Sequence, residues 1–251
     1  PAMTREWDAK SYDELPLPHV GWGRRTIERM TLRGDERVLD AGCGTGRDAA
    51  ELLSRHPGVD LVGIDGSSQM IAQARERVGS GAAFAVRDLT EPLDVAELGA
   101  RPGPFDAVMS VACFHWISDH ETLFAHLAAV LRPGGRLTSD SGGEGNIENV
   151  ERAIAAVNAE GFAPKAFASP EETREHLERN GFDVDRVALR PSPIRLDDPD
   201  VMERYLATVC LGSYLERMSE QEGCEFTRAV REAMVEPVLD YVRLEIDAVR
   251  R

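Results

Sequence analysis

The stretch Arg37-Val38-Leu39-Asp40-Ala41-Gly42-Cys43-Gly44-Thr45-Gly46-Arg47 decides the fold. A short apolar run closes on an acid, glycines follow at alternate positions, and a helical pattern begins near Arg47. Glycines so placed let the backbone bend sharply and come close to a ligand, because none carries a Cβ. A strand that turns this tightly into a helix predicts a ligand at the turn.

Working outward, short apolar runs alternate with helical patterns, the signature of βαβ units and a mostly parallel sheet. Strands are expected at Arg37–Asp40, Asp60–Asp65, Ala82–Val86, Phe105–Ser110 and Arg136–Ser139, with helices at Arg47–Arg55, Ser68–Val78 and Asp119–Leu131. A further helix from about Pro170 to Asn180 is signalled by Ser169 as N-cap, Pro170 as first helical residue, Glu172 as capping-box partner and Gly181 as stop. Phe182–Leu189 reads as a sixth strand. Residues 191–237 switch to helical spacing, and Val242, Leu244, Ile246 and Ala248 then alternate with Arg243, Glu245 and Asp247 as a half-buried seventh strand.

Two ligands compete for the turn. A dinucleotide would need GxGxxG/A, which fits only as Gly44, Gly46 and Ala49, and Asp40 would then oppose a pyrophosphate. S-adenosylmethionine brings a positive amino group that Asp40 attracts, so charge favours it. Asp65 closes the second strand, where an acid accepts ribose hydroxyls of either ligand, and Asp88 after the third strand can accept an adenine amino group.

The loop, Asp65, Asp88-Leu89 and Leu131-Arg132-Pro133-Gly134-Gly135 together resemble the successive motifs of class I S-adenosylmethionine-dependent methyltransferases. Within them, Phe114-His115-Trp116-Ile117-Ser118-Asp119-His120 and the insert before Tyr241-Val242-Arg243-Leu244 resemble the trans-aconitate and juvenile-hormone-acid methyltransferase group. The resemblance implies a doubly wound, Rossmann-like α/β fold whose seven-stranded sheet is mostly parallel with its last strand antiparallel. Residues 1–190 and 238–251 would form that domain, 1–35 a helical lid, and 191–237 a helical cap over the substrate site between strands six and seven. It also implies Asp40, Gly42 and Gly44 at the methionine part with Cys43, Gly66 and Met70 beside them, Asp65 at ribose, Asp88 and Leu89 at adenine, and Ala112 facing the sulfonium. The N-terminal residues of the family that cover the cofactor have only His19 and Trp22 as equivalents.

His115 and Trp116 follow the fourth strand at the carboxyl edge where such sheets bind ligands. His115 is a candidate base or substrate contact, Trp116 a substrate wall or core residue, and Tyr205 an insert residue that either packs or points into a substrate cavity. If the acceptor is a carboxylate, Arg24, Arg25, Arg195 and Arg204 are the candidate counter-charges. The expected activity is methyl transfer to a small molecule, foremost to the carboxylate oxygen of a small acid. The alternatives are N- or C-methylation of a secondary metabolite, a NAD(P)-binding oxidoreductase and a non-catalytic adenosylmethionine-binding scaffold.

A formal charge of −15 opposes a nucleic-acid partner. No run of about 18 apolar residues predicts a membrane span. The four cysteines make no CxxC pair, no metal is expected, and the cytoplasm is the default location. Monomer and homodimer stay open.

Overall fold

Asp40 and its neighbours occupy the centre of the sheet. In this computed structural model, which describes residues 19–99, 101–158 and 167–251, strand β1 is Arg37–Ala41 and every one of its residues is buried. A strand covered on both faces reads as a continuous apolar run. Val38 packs into the layer of helices α1 (His19–Arg29), α2 (Arg47–Arg55) and α3 (Ser68–Val78), while Leu39 and Ala41 pack into that of α4 (His120–Val130) and α6 (Pro170–Arg179).

β1 pairs in parallel with β2 (Asp60–Asp65) on one side and with β4 (Phe105–Val111) on the other. With β3 (Ala83–Val86), β5 (Leu131–Gly142), β6 (Phe182–Pro191) and β9 (Val242–Arg250) the sheet runs β3-β2-β1-β4-β5-β9-β6. Winding reverses between β1 and β4, and that reversal opens a crevice at their carboxyl ends. β9 runs antiparallel between β5 and β6, so the expected doubly wound sheet with an antiparallel last strand is present.

Three features depart from the sequence reading. Strand β5 runs from Leu131 to Gly142 and so extends past the expected Arg136–Ser139 at both ends. The loop after β5 is tied down, with the Val242 amide donating to Asn146 Oδ1 at 2.9 Å and the Glu144 amide to the Ala168 carbonyl at 3.0 Å. Helix α5 (Glu148–Val157) has no counterpart in the sequence reading; it begins on Ile147, in the left-handed region at φ 50° with no side-chain cap, so no start signal marks it.

The third departure is β9. Its polar alternates Arg243 and Glu245 are fully buried and Asp247 nearly so, because α1 lies across them. Glu245 meets Arg25, Arg186 and Arg190, and Arg29 meets Asp247.

Within 191–237 stand β7 (Ile194–Arg195), α7 (Pro199–Tyr205), a π-helical turn over Leu206–Cys210, α8 (Gly212–Leu215) and α9 (Glu220–Ala233). The neck is a two-stranded ladder of β7 with β8 (Val238–Leu239), too short to show a period in sequence. Of the lid, residues 1–18 lie outside the described residues. No helix among the described residues is long and apolar enough to cross a membrane.

Candidate active site

The turn after β1 is shaped by its glycines. Gly42 has φ 80°, and a Cβ there would overlap Cys113 Sγ, so only glycine lets the turn press against the end of β4. The Gly42 and Cys43 amides donate to the Ile64 carbonyl at 2.8 and 2.9 Å, which ties the turn to β2. On the facing side Ala112 is held at φ 55° while its amide donates to the Asp140 carbonyl at 2.7 Å. Strained backbone of this kind persists where the surroundings over-determine it, and it clusters at functional sites.

A cleft opens between these elements. Ten of the residues singled out in the sequence line it: His19, Trp22, Gly42, Cys43, Gly44, Asp65, Met70, Ala112, His115 and Trp116. Asp40, Gly66, Asp88, Leu89 and Tyr205 do not. Asp40 sits behind the turn, Leu89 is buried in the α4 layer, and Asp88 Oδ1 is engaged by the Thr90 amide and hydroxyl at 2.9 and 2.8 Å. Tyr205 is fully buried, and its hydroxyl lies 2.6 Å from that of Tyr241, which does line the cleft. The candidate counter-charges lie elsewhere too: Arg24 pairs with Glu51, Arg25 with Glu245 and Arg195 with Asp197, and Arg204 is exposed.

The half of the cleft over β1 and α2 is rich in acids, with Arg47 as a cation on its wall. Asp40 Oδ2 is buried without a hydrogen bond, and burial, followed by the charges of Asp48 and Asp65, pushes its carboxyl well above the ordinary range. Asp48, in the first turn of α2, is pushed up to about 7, by burial first and then by Asp140 and Glu51 against the opposing charge of Arg47. A Cβ on Gly23 would overlap the Asp48 carboxylate, so α1 closes over this acid because residue 23 is glycine. Asp65 accepts the Gly44 amide on Oδ2 and the Ser67 amide on Oδ1, both at 2.9 Å. The charges of Asp48 and Asp65 both raise the proton affinity of Asp40, and carboxyls gathered in this way form a site for a positive group.

The shifted acid makes ligand binding depend on pH. A cationic ligand favours the ionised forms of Asp40 and Asp48, so its affinity is expected to rise as pH climbs through about 7, by up to ~10-fold per unit for the Asp48 proton. Without ligand the sign is opposite: Asp48 ionisation destabilises the fold as pH rises from 3.8 to about 7. Calorimetry of adenosylmethionine binding from pH 5.5 to 8.5 measures the first effect, and Asp48→Asn is expected to flatten it.

The other half of the cleft is lined by His115, Trp116, Val209, Tyr241 and Arg243, with Trp22 over Arg243. The Gly142 amide donates to His115 Nδ1 at 3.1 Å, which places the proton of a neutral imidazole on Nε2. Trp22 is fixed edge-on to Tyr241, with ring centroids 4.9 Å apart, and by its indole N–H donating to Ser192 Oγ at 3.0 Å.

A family described as methyltransferase domain matches residues 38–135, the segment that carries the turn, β2, β3 and β4. The trans-aconitate 2-methyltransferase of Variovorax paradoxus is 31% identical over 199 residues, covering 78% of this chain and 69% of that protein. The chain belongs to the class I S-adenosylmethionine-dependent methyltransferases. The trans-aconitate 2-methyltransferase of Methylobacterium nodulans is 35% identical over 132 residues, 53% of this methyltransferase and 48% of that protein; the match thus spans about half the relative's length. The YcgJ protein of Bacillus subtilis shares the fold, with a TM-score of 0.64 at 18% identity over 93% of this chain and 99% of that one.

In this methyltransferase the sequence reading misses Asp48 and Arg47 as cleft residues, and gives Tyr241 and Arg243 no role although they stand in a quoted motif. Asp48 looks like an ordinary first-turn acid of a helix. Arg243 looks like the solvated face of a strand, and only the cover of α1 makes it otherwise.

Proposed function

We propose that this methyltransferase holds S-adenosylmethionine over the turn Gly42–Gly46 and methylates the carboxylate oxygen of a small organic acid. The residues fit the cofactor: the unpartnered Asp40 oxygen, with Asp48, suits its ammonium group, and the glycine turn leaves room for its methionine backbone. Asp65 would take the ribose hydroxyls, with Gly66 and Met70 beside it, and Asp88 with the Leu89 backbone the adenine edge. When bound, the cofactor supplies a methyl group already activated on a sulfonium, which leaves as a neutral thioether.

The protein's tasks are then to orient the acceptor and keep water out. Trp22 and Tyr241, packed edge to face, and Val209 from the insert would wall the acceptor side, with residues 191–237 and α1 as its cover. The acceptor oxygen has to be nucleophilic without help, and one observation carries this reading: the Gly142 amide donates to His115 Nδ1, so that nitrogen is not placed to take a proton from an acceptor. A phenol or ammonium acceptor needs a base, whereas a carboxylate, with an ordinary pKa near ~4, has no proton to lose. His115 is thus a hydrogen-bonding contact to the acceptor. Trans-aconitate, the acceptor for which the two curated relatives are named, is such an acid.

Incubation with methyl-labelled cofactor and panels of acids, amines and phenols tests the proposal. Base-labile label on acids is expected, and label confined to amines or phenols would overturn it. His115→Gln is expected to lower kcat/KM by about 10-fold, the worth of one hydrogen bond, with no change in the shape of the pH profile between 6 and 9.

A further inference from the structure

Arg243 is 1% exposed and still lines the acceptor half of the cleft. Its Nε donates to Asp140 Oδ1 at 2.7 Å, and its guanidinium lies over the Trp22 indole with Cζ 3.7 Å from the ring centroid. These two contacts fix the plane of the fork. Nη2 is buried and has no hydrogen-bond partner. Buried polar groups are nearly always satisfied, and a charged donor left over marks a place for an acceptor atom that a ligand brings.

The neighbouring acids cannot serve it. Asp140 is shared with Arg190, whose Nη2 stands 3.3 Å from Oδ2. Glu245 is taken by Arg25, Arg186 and Arg190. The surplus positive charge reaches the cleft: His19 is held down at about 3, by burial first and then by Arg243 and Arg47. The acid-rich half of the cleft around Asp40, Asp48 and Asp65 lies over β1 and β2. Arg243 belongs to the other half, since it pairs with Gly142 at the end of β5, the residue whose amide also holds His115.

The geometry points to Arg243 as the anchor for a carboxylate of the acceptor other than the one that is methylated. The carboxylate that Arg243 holds serves to bind the acceptor, and a second carboxylate, free of the guanidinium, takes the methyl group. The acceptor is then at least a dicarboxylic acid and the product a half-ester. Asp140 and Trp22 are positioning residues for the anchor. This inference rests on the acid-methylating reading and assigns the group that selects among acids.

The test uses the full chain loaded with adenosylhomocysteine, titrated with succinate, glutarate, adipate and fumarate and with their half-amides. At least one diacid is expected to bind 10-fold or more tightly than its half-amide, and Arg243→Gln to erase that preference. Arg243→Lys keeps the charge but loses the fork, so it is expected to raise KM for the diacid about 10-fold with kcat within twofold, and it serves as readout should the Gln variant not fold. A separate arm compares adenosylhomocysteine with methylthioadenosine, which lacks the amino acid; both are expected to bind the variants as they bind the wild type. Weakening of adenosylhomocysteine alone would give Arg243 to the cofactor's carboxylate and overturn the inference. So would half-amides that bind as well as diacids, or no diacid that binds. Arg243-dependent diacid binding without ester formation would instead sink the acid-methylating reading, and ester formation indifferent to Arg243 would sink the anchor alone.

Discussion

Asp65→Ala is expected to weaken binding of adenosylhomocysteine by about 100-fold or more. Each hydrogen bond from a ribose hydroxyl to a carboxylate is worth ~1.5–3 kcal/mol, and two such bonds correspond to two decades or more in affinity. The same carboxylate also accepts the Gly44 and Ser67 amides at 2.9 Å, so its removal releases the turn as well as the ribose. Asp88→Ala makes the contrast. Its Oδ1 caps its own turn through Thr90 and it does not line the cleft, so the expected loss is about 10-fold, the low end of that range for a single adenine contact. Calorimetric titration of both variants measures the difference. Equal losses would show that the two acids are not used in the order proposed.

The second large effect is on stability. Glu245 has no exposed surface and joins α1, β6 and β9 through Arg25, Arg186 and Arg190. Glu245→Gln leaves these arginines without their shared anion, and breaking a buried pair from one side costs ~3–5 kcal/mol. Arg25 and Arg186 are each close to half exposed and can rehydrate, so about 3 kcal/mol is expected, which is a fall in Tm of roughly 6–12 °C for a chain of this size.

The pH dependence has a definite sign. Burial alone would raise the Glu245 pKa, but hydrogen bonds from Arg25 and Arg190 and the charge of Arg29 hold it at about 2, below the ordinary 4.5. Its contribution is complete above pH 4.5 and is lost as pH falls toward about 2. The gap in urea midpoint between wild type and variant is therefore expected to be full at pH 7 and to shrink below pH 4.5. Because α1 carries Trp22 and His19 into the cleft, the variant is also expected to bind the cofactor more weakly at unchanged pH.

Most of the fold up to Arg179 is legible because its signals are local. The apolar runs around Val38, Val62 and Val108, the glycine turn, and the caps at Ser169 and Asp119 each state their structure within a few residues. The acid-rich half of the cleft is legible for the same reason, since Gly42, Gly44 and Asp65 stand at or just after strand ends, while Met70 comes only from the family resemblance. The acceptor half is not. Arg243, Tyr241 and Val209 reach the cleft only through a strand inserted between β5 and β6 and an insert folded back over it, contacts made across long stretches of chain. Period two in β9 reads correctly as a strand, but its charged face is buried by ion pairs with α1, and alternation cannot distinguish a solvated face from a paired one. Tyr205 shows the converse: spacing puts it on an inward face, and that face meets Tyr241 and not the cleft.

The central claim is that the turn after β1, with the acids Asp40, Asp48 and Asp65, is a seat for the cationic amino-acid tail of adenosylmethionine. Isothermal titration of the purified chain at pH 8 with adenosylmethionine, and separately with NAD, tests it most directly. One site per chain for adenosylmethionine, lost in Asp40→Asn, and no heat with NAD is the expected result. No heat with adenosylmethionine, or binding indifferent to the charge of residue 40, would contradict the account.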